Sequence, residues 1–123
     1  MTIRRPLVAV IDDDQSVRES LPDLLAVFGF AGRAFSSAKE FLASPEMSAA
    51  ECAILDVAMP GMSGPDLRRE LKMLRPQLPV IFITARSDVG LRSQLLELGA
   101  VACLFKPFSD AALLDALRAV FPE

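Results

Sequence analysis

The chain has 123 residues, 52% hydrophobic and 24% charged, a balance that fits one globular domain and not a disordered tail. Its apolar runs are of strand length, well short of the roughly 20 residues a membrane span needs, and its net charge of −3 disfavours direct contact with nucleic acid, whose phosphates reward basic surfaces. Histidine is absent, so imidazole acid–base chemistry, imidazole metal ligation and phosphohistidine are excluded from the chain itself.

The amino terminus runs from Met-Thr-Ile-Arg-Arg into a strand-like stretch, Leu7–Ile11, without a signal-peptide core, which gives the expectation of a cytoplasmic protein. A first helix follows. Val17, Leu21, Leu24, Leu25 and Phe28 recur at helical spacing between an Asp14 cap and Gly29. Pro22 interrupts it at a cost of about 3 kcal/mol and is expected to kink it on an exposed face. Ala31–Phe35 reads as the second strand, and Ala38–Ala43 as a short second helix with the weakest pattern of the set. Cys52–Leu55 is the third strand, and Gly64-Pro65 opens a third helix with Pro65 at its favoured first position and Leu67, Leu71 and Leu74 as its stripe, ended by Pro76. Val80–Ile83 is the fourth strand. Asp88 caps a fourth helix through Leu91, Leu95 and Leu98, stopped at Gly99. Val101–Phe105 is the fifth strand, and Ser109 caps a fifth helix with Leu113, Leu117 and Val120 before Pro122.

The third and fourth strands are almost continuously apolar, as strands covered on both faces should be. Five strand–helix alternations predict a parallel sheet with helices on both faces. No repeat, linker or low-complexity tract interrupts the pattern, so residues 1–123 are expected to form a single domain. Cys52 and Cys103 lack metal-type spacing and read as small core residues, not as a disulfide.

The chemistry-bearing residues sit where these strands end. Asp12, Asp13 and Asp14 follow the first, Asp56 the third, Thr84 the fourth and Lys106-Pro107 the fifth, with Met59-Pro60 just beyond Asp56. The carboxyl ends of parallel strands open on one edge, where α/β proteins bind ligands. Taken singly, each residue has a plain structural use: a helix cap for Asp14, a loop-entry carboxylate for Asp56, a strand-end hydroxyl for Thr84, a surface lysine for Lys106. Three adjacent carboxylates are harder to explain that way, since two unit charges 4 Å apart repel by about 4 kcal/mol at an effective dielectric near 20. Clustered hard oxygen donors point to a divalent cation such as Mg2+.

Val10-Ile11-Asp12-Asp13-Asp14, Leu55-Asp56-Val57-Ala58-Met59-Pro60-Gly61-Met62-Ser63-Gly64, Ile83-Thr84-Ala85-Arg86 and Phe105-Lys106-Pro107-Phe108, in this order, resemble the receiver domains of two-component response regulators. The phrasing of Pro60–Gly64 and Lys106–Phe108 looks most like receivers of the LuxR/FixJ (NarL/FixJ) type. The resemblance implies a flavodoxin-like (βα)5 doubly wound sandwich whose five-stranded parallel sheet has the order 2-1-3-4-5. It implies that Asp56 accepts a phosphoryl group from the phosphohistidine of a sensor histidine kinase. Asp12, Asp13, Asp56 and the main-chain carbonyl of Ala58 would hold Mg2+ (or Mn2+), Thr84 and Lys106 would meet the phosphoryl oxygens, and the Lys106–Pro107 bond would be cis. The domain would be an enzyme only in the loose sense of promoting its own phosphorylation and slow dephosphorylation. Modification would switch the face formed by the fourth helix, fifth strand and fifth helix, through which a homodimer could form. Output, through transcription, would lie in a domain outside this chain, with no nucleic acid or membrane bound directly.

Two positions depart from the family pattern. Cys103 stands where the family usually has the aromatic ring that turns inward with the threonine, and Phe105, on the same strand face, stands where many relatives are polar. Phe105 is expected to make that face apolar and favour association. Ala58 and Arg86 occupy positions implied to tune the phosphoryl lifetime. The nearest rival from another class is a haloacid-dehalogenase-type phosphatase, for which Asp12-Asp13-Asp14-Gln15-Ser16 would make Asp12 the nucleophile; the chain has neither the length for the usual cap nor a later acidic pair.

Overall fold

Alternation of apolar runs with amphipathic segments produces the expected layers. The computed structural model describes residues 4–85 and 89–122. Its strands are β1 (Leu7–Ile11), β2 (Ala31–Phe35), β3 (Cys52–Asp56), β4 (Val80–Thr84) and β5 (Ala102–Phe105). They form one parallel sheet in the order β2-β1-β3-β4-β5. Every residue of β3 and β4 is buried, which is why those two segments carry unbroken apolar sequence up to a single terminal polar residue.

The helices are α1 (Gln15–Val27), α2 (Ala38–Leu42), α3 (Glu46–Ala49), α4 (Gly64–Leu74), α5 (Val89–Glu97) and α6 (Asp110–Val120). On one face of the sheet Leu21 and Leu25 of α1 and Leu113 and Leu117 of α6 pack on Val8, Val10, Ile54 and Ile81. On the other, Phe41, Leu67, Leu71 and Leu95 pack on Ile11, Leu55, Phe82 and Cys103. Asp14, Ser37, Ser63 and Ser109 each cap a helix by accepting a backbone N–H from its first turn. Cys52 and Cys103 are buried and unbridged, as expected, and burial pushes the Cys52 thiol up to about 12.

Four local expectations need correction. Pro22 does lie inside α1, but it is half-buried over β2: a Cβ at Gly32 would come within 2.8 Å of its Cα. The helix therefore approaches the strand through a glycine, and the proline ring faces the sheet. Leu74, the last residue of α4, is 52% exposed, whereas Leu67 and Leu71 of the same stripe are fully buried. The α4 cap is Ser63, one residue before Gly64, so Pro65 takes the second helical position. The short α3 was not expected; Arg75 holds it by donating to the carbonyls of Met47 (2.6 Å) and Ala50 (2.9 Å). Because of α3, the fourth and fifth helices of the sequence pattern are α5 and α6. The expected Asp88 cap of α5 falls outside the described residues.

Register decides where the site falls. Ile11 pairs with both Phe35 and Leu55, Asp56 with Ile83, and Thr84 with Phe105, so the strand ends are in step. The ladder continues just past them, with Asp12 donating to the Phe35 carbonyl (3.0 Å), Val57 to Ile83 (3.0 Å) and Lys106 to Thr84 (2.7 Å).

Candidate phosphoacceptor and cation site

Asp12, Asp13 and Asp56 meet at the carboxyl edge of the sheet, each offering a carboxylate oxygen within 4.8 Å of the others. β1 carries Asp12 into complete burial and β3 leaves Asp56 5% exposed, while Asp13 faces solvent. Asp14 is not part of this group. Its Oδ1 accepts from the backbone N–H and the hydroxyl of Ser16 (2.9 and 2.7 Å), and these bonds hold its carboxyl below the usual range. The structural use of an aspartate at a helix cap thus accounts for one acid of the three and leaves two for the site.

Every polar atom of Asp12 has a neighbour. Its N–H donates to Phe35, its carbonyl accepts from Arg18 Nη1 at 3.0 Å, and its Oδ1 accepts from the Asp14 N–H at 2.9 Å. Oδ2, buried, lies 2.9 Å from Lys106 Nζ in an ion pair. Lys106 Nζ is also 3.6 Å from Asp56 Oδ1. One ammonium therefore serves two buried carboxylates, with Asp12 the nearer. Burial works against the Lys106 charge, but Asp12, then Asp56 and Asp14, outweigh it and raise its pKa. The Lys106–Pro107 bond is cis, as the resemblance implied.

Asp56 bears the electrostatic strain of this arrangement. Burial first, then the Asp12 charge, raise its carboxyl to about 7, with Lys106 pulling the other way. An Asp12 Oδ2 whose neighbouring ammonium is shared with Asp56, the raised Asp56 and the hard all-oxygen donor set fit a divalent cation, which would supply the positive charge that a single lysine cannot. Asp12 is a poor candidate for the nucleophile a phosphatase would need, since it is fully buried and held at its backbone and at Oδ1.

Thr84 is buried at the end of β4, one position past the Asp56–Ile83 pair. Ala58 is exposed on the loop after β3, beside buried Met59. Gly64, the first residue of α4, lies so close to Asp56 that a Cβ there would overlap its carbonyl oxygen, and its N–H donates to Val57 at 3.1 Å. Cys103 is 4% exposed in the core, and half-buried Phe105 packs against the same cluster as Leu91. Arg86 lies outside the described residues. Sequence reasoning missed Arg18, whose only signal was a cation four residues beyond Asp14, on the first turn of the capped helix. It also missed Arg68 on α4, 8% exposed, whose Nε donates to the Leu98 carbonyl at 3.1 Å.

Residues 8–118 match the family model of the response regulator receiver domain. The chain belongs to that family. It is 42% identical over 119 residues to the response regulator protein TodT of Pseudomonas putida, an alignment covering 97% of this chain and 52% of TodT. To the transcriptional regulatory protein FixJ of Azorhizobium caulinodans it is 44% identical over 112 residues, covering 91% and 53% of the two chains. The crystal structure of FixJ-N superposes with a TM-score of 0.83 at 35% identity, covering 98% of this chain and 97% of that one. The chain thus matches FixJ-type regulators, as its motifs implied, and spans about half the length of the curated relatives it matches. As a response regulator receiver domain it carries the phosphoacceptor architecture of two-component signalling. Among the described residues no helix is long and apolar enough to cross a membrane.

Proposed function

We propose that Asp56 receives the phosphoryl group, from the phosphohistidine of a sensor histidine kinase and with Mg2+ as the bound cation. The observation that carries this assignment is the pairing of a nearly buried carboxylate with a shared ammonium: Lys106 Nζ stands 3.6 Å from Asp56 Oδ1, and Asp12 and Asp13 complete a three-carboxylate cluster around it. An oxygen of ionised Asp56 attacks phosphorus, the phosphorus–nitrogen bond breaks, and the electron pair leaves on the imidazole. Such transfers are mainly positioning and charge neutralisation. Mg2+, held by Asp12, Asp13, Asp56 and the Ala58 carbonyl, would neutralise charge on the phosphoryl oxygens. Lys106 turns from the carboxylate to a phosphoryl oxygen, and the Thr84 hydroxyl takes another from the end of the neighbouring strand. Small phosphodonors suit the same groups, because the attacking and stabilising residues are all in this domain.

Modification then biases the α5–β5–α6 face between two arrangements. Cys103 fills less volume there than an aromatic ring, and Ala58 and Arg86 set the lifetime of the acyl phosphate. Phe105 gives the face an apolar edge on which a second copy docks. Residues 1–123 act as one receiver domain, and output passes to a transcriptional domain outside this chain, a reading supported by the name and greater length of FixJ.

Intact-mass spectrometry after incubation with acetyl phosphate and Mg2+ tests the assignment. The expected result is one phosphoryl adduct that requires Mg2+ and disappears in Asp56→Ala. An adduct that survives in Asp56→Ala and disappears in Asp12→Ala would transfer the nucleophile to Asp12 and overturn it.

A further inference from the structure

Asp13 is exposed, so no surrounding core holds its side chain, and the direction in which its Cα–Cβ bond leaves the backbone is set by the two peptide planes that flank it. Both are pinned. On the carboxyl side, the Asp14 N–H donates to Asp12 Oδ1 at 2.9 Å. On the amino side, the Asp12 carbonyl accepts from Arg18 Nη1 at 3.0 Å. That carbonyl lies past the last ladder pair of β1 with β2, Ile11 with Phe35, and so falls beyond the regular pairing of the sheet. Arg18 itself is held in the first turn of α1, where its own N–H donates to the Asp14 carbonyl at 3.1 Å, and its side chain is half-buried. One residue thus brackets the acid triplet: its backbone takes the carbonyl of Asp14 and its guanidinium the carbonyl of Asp12.

We infer that Arg18 is a positioning residue for the cation site: by fixing the Asp12–Asp13 peptide plane it aims Asp13 at the ion. This rests on the reading of Asp12, Asp13 and Asp56 as a cation site. The rest of the bracket comes from within the triplet, so Arg18 is the part that can be changed without removing a ligand. Groups that orient ligands typically change metal affinity on the order of tenfold or more when removed.

A second role for Arg18 would have the opposite sign. Its charge lies beside an acidic cluster that attracts a cation, and removing a like charge by itself strengthens cation binding. The two roles are therefore separable by direction alone. The chain has no Trp or Tyr, so intrinsic fluorescence is a weak reporter; titration calorimetry with Mg2+ and electron paramagnetic resonance with Mn2+ are the suitable readouts. For Arg18→Met the expected result is affinity lower by on the order of tenfold. Arg18→Lys, which keeps a donor on a long stem, is expected to recover part of that loss. Equal or tighter binding in Arg18→Met overturns the inference, since the guanidinium would then act only through its charge or not at all. Should circular dichroism show Arg18→Met unfolded, Arg18→Gln is judged by the same criterion. A folded wild-type protein that binds neither ion would remove the cation site, and the role of Arg18 with it; a wild type that binds while the variants bind as well or better removes the role of Arg18 alone.

Discussion

Asp56 is raised to about 7 because burial and the Asp12 charge together outweigh Lys106, and this has a consequence for stability in the absence of a cation. In the unfolded chain the carboxyl releases its proton near pH 4, whereas in the folded protein it holds it to about 7. Between these values the native state binds more protons, so stability is highest below the unfolded pKa and falls as pH rises through the folded one. Urea unfolding in EDTA should show this decline between about pH 4 and 7 in the wild type, and Asp56→Asn should flatten it and be the more stable protein at pH 8. Equal pH profiles for the two proteins would refute this. Lys106 gives the complementary test. Lys106→Met leaves the fully buried Asp12 carboxylate without its 2.9 Å partner, and loss of one member of such a pair costs about 3–5 kcal/mol. The variant should unfold at lower urea than the wild type and regain more stability on adding Mg2+; parity in both would remove Lys106 from the electrostatics of the site.

At the scale of elements, the step between strand ends matters more than any helix. Asp12, Asp56, Thr84 and Lys106 converge because four parallel strands stop in register, and α4 can approach Asp56 only because its first residue is Gly64. Cys103 lies inside the core, and Phe105 two residues on is half-buried against the same cluster as Leu91, while Leu96 on α5 and Val101 just before β5 are the exposed large hydrophobics of this region. Phe105→Glu should weaken self-association of the phosphorylated protein at least tenfold in sedimentation equilibrium, because burying an unpaired charge at an interface is costly. Unchanged association would overturn the docking role proposed for Phe105. An apolar stripe repeating over several turns marks a helix in the sequence, as in α1, α4 and α6. The four-residue α3 has no such stripe; it is held by Arg75 from the far end of α4, a long-range contact without a local signature.

For the whole molecule, a ligand of the native state alone raises stability by mass action, by about 2.7 kcal/mol at a hundred times its dissociation constant. Saturating Mg2+ should therefore raise the melting temperature by several degrees, on the order of 2–8 °C per kcal/mol across small domains. The increase should be larger at pH 8 than at pH 5, because at the lower pH the proton on Asp56 competes with the ion. A melting temperature indifferent to Mg2+ would count against the three carboxylates forming one cation site.

By itself the sequence determined the sheet, the layers on its two faces and the four strand ends that carry Asp12, Asp13, Asp56, Thr84 and Lys106. Each of these follows from local periodicity and from which residue comes directly after an apolar run. The tertiary structure decided the partnerships: that Asp14 caps α1 and leaves the acid cluster, that Lys106 lies nearer Asp12 than Asp56, that Arg18 holds the Asp12 carbonyl, and that Pro22 faces Gly32. Those depend on register and on side-chain direction between segments far apart in the chain, and the spacing of residues along one segment carries no information about either.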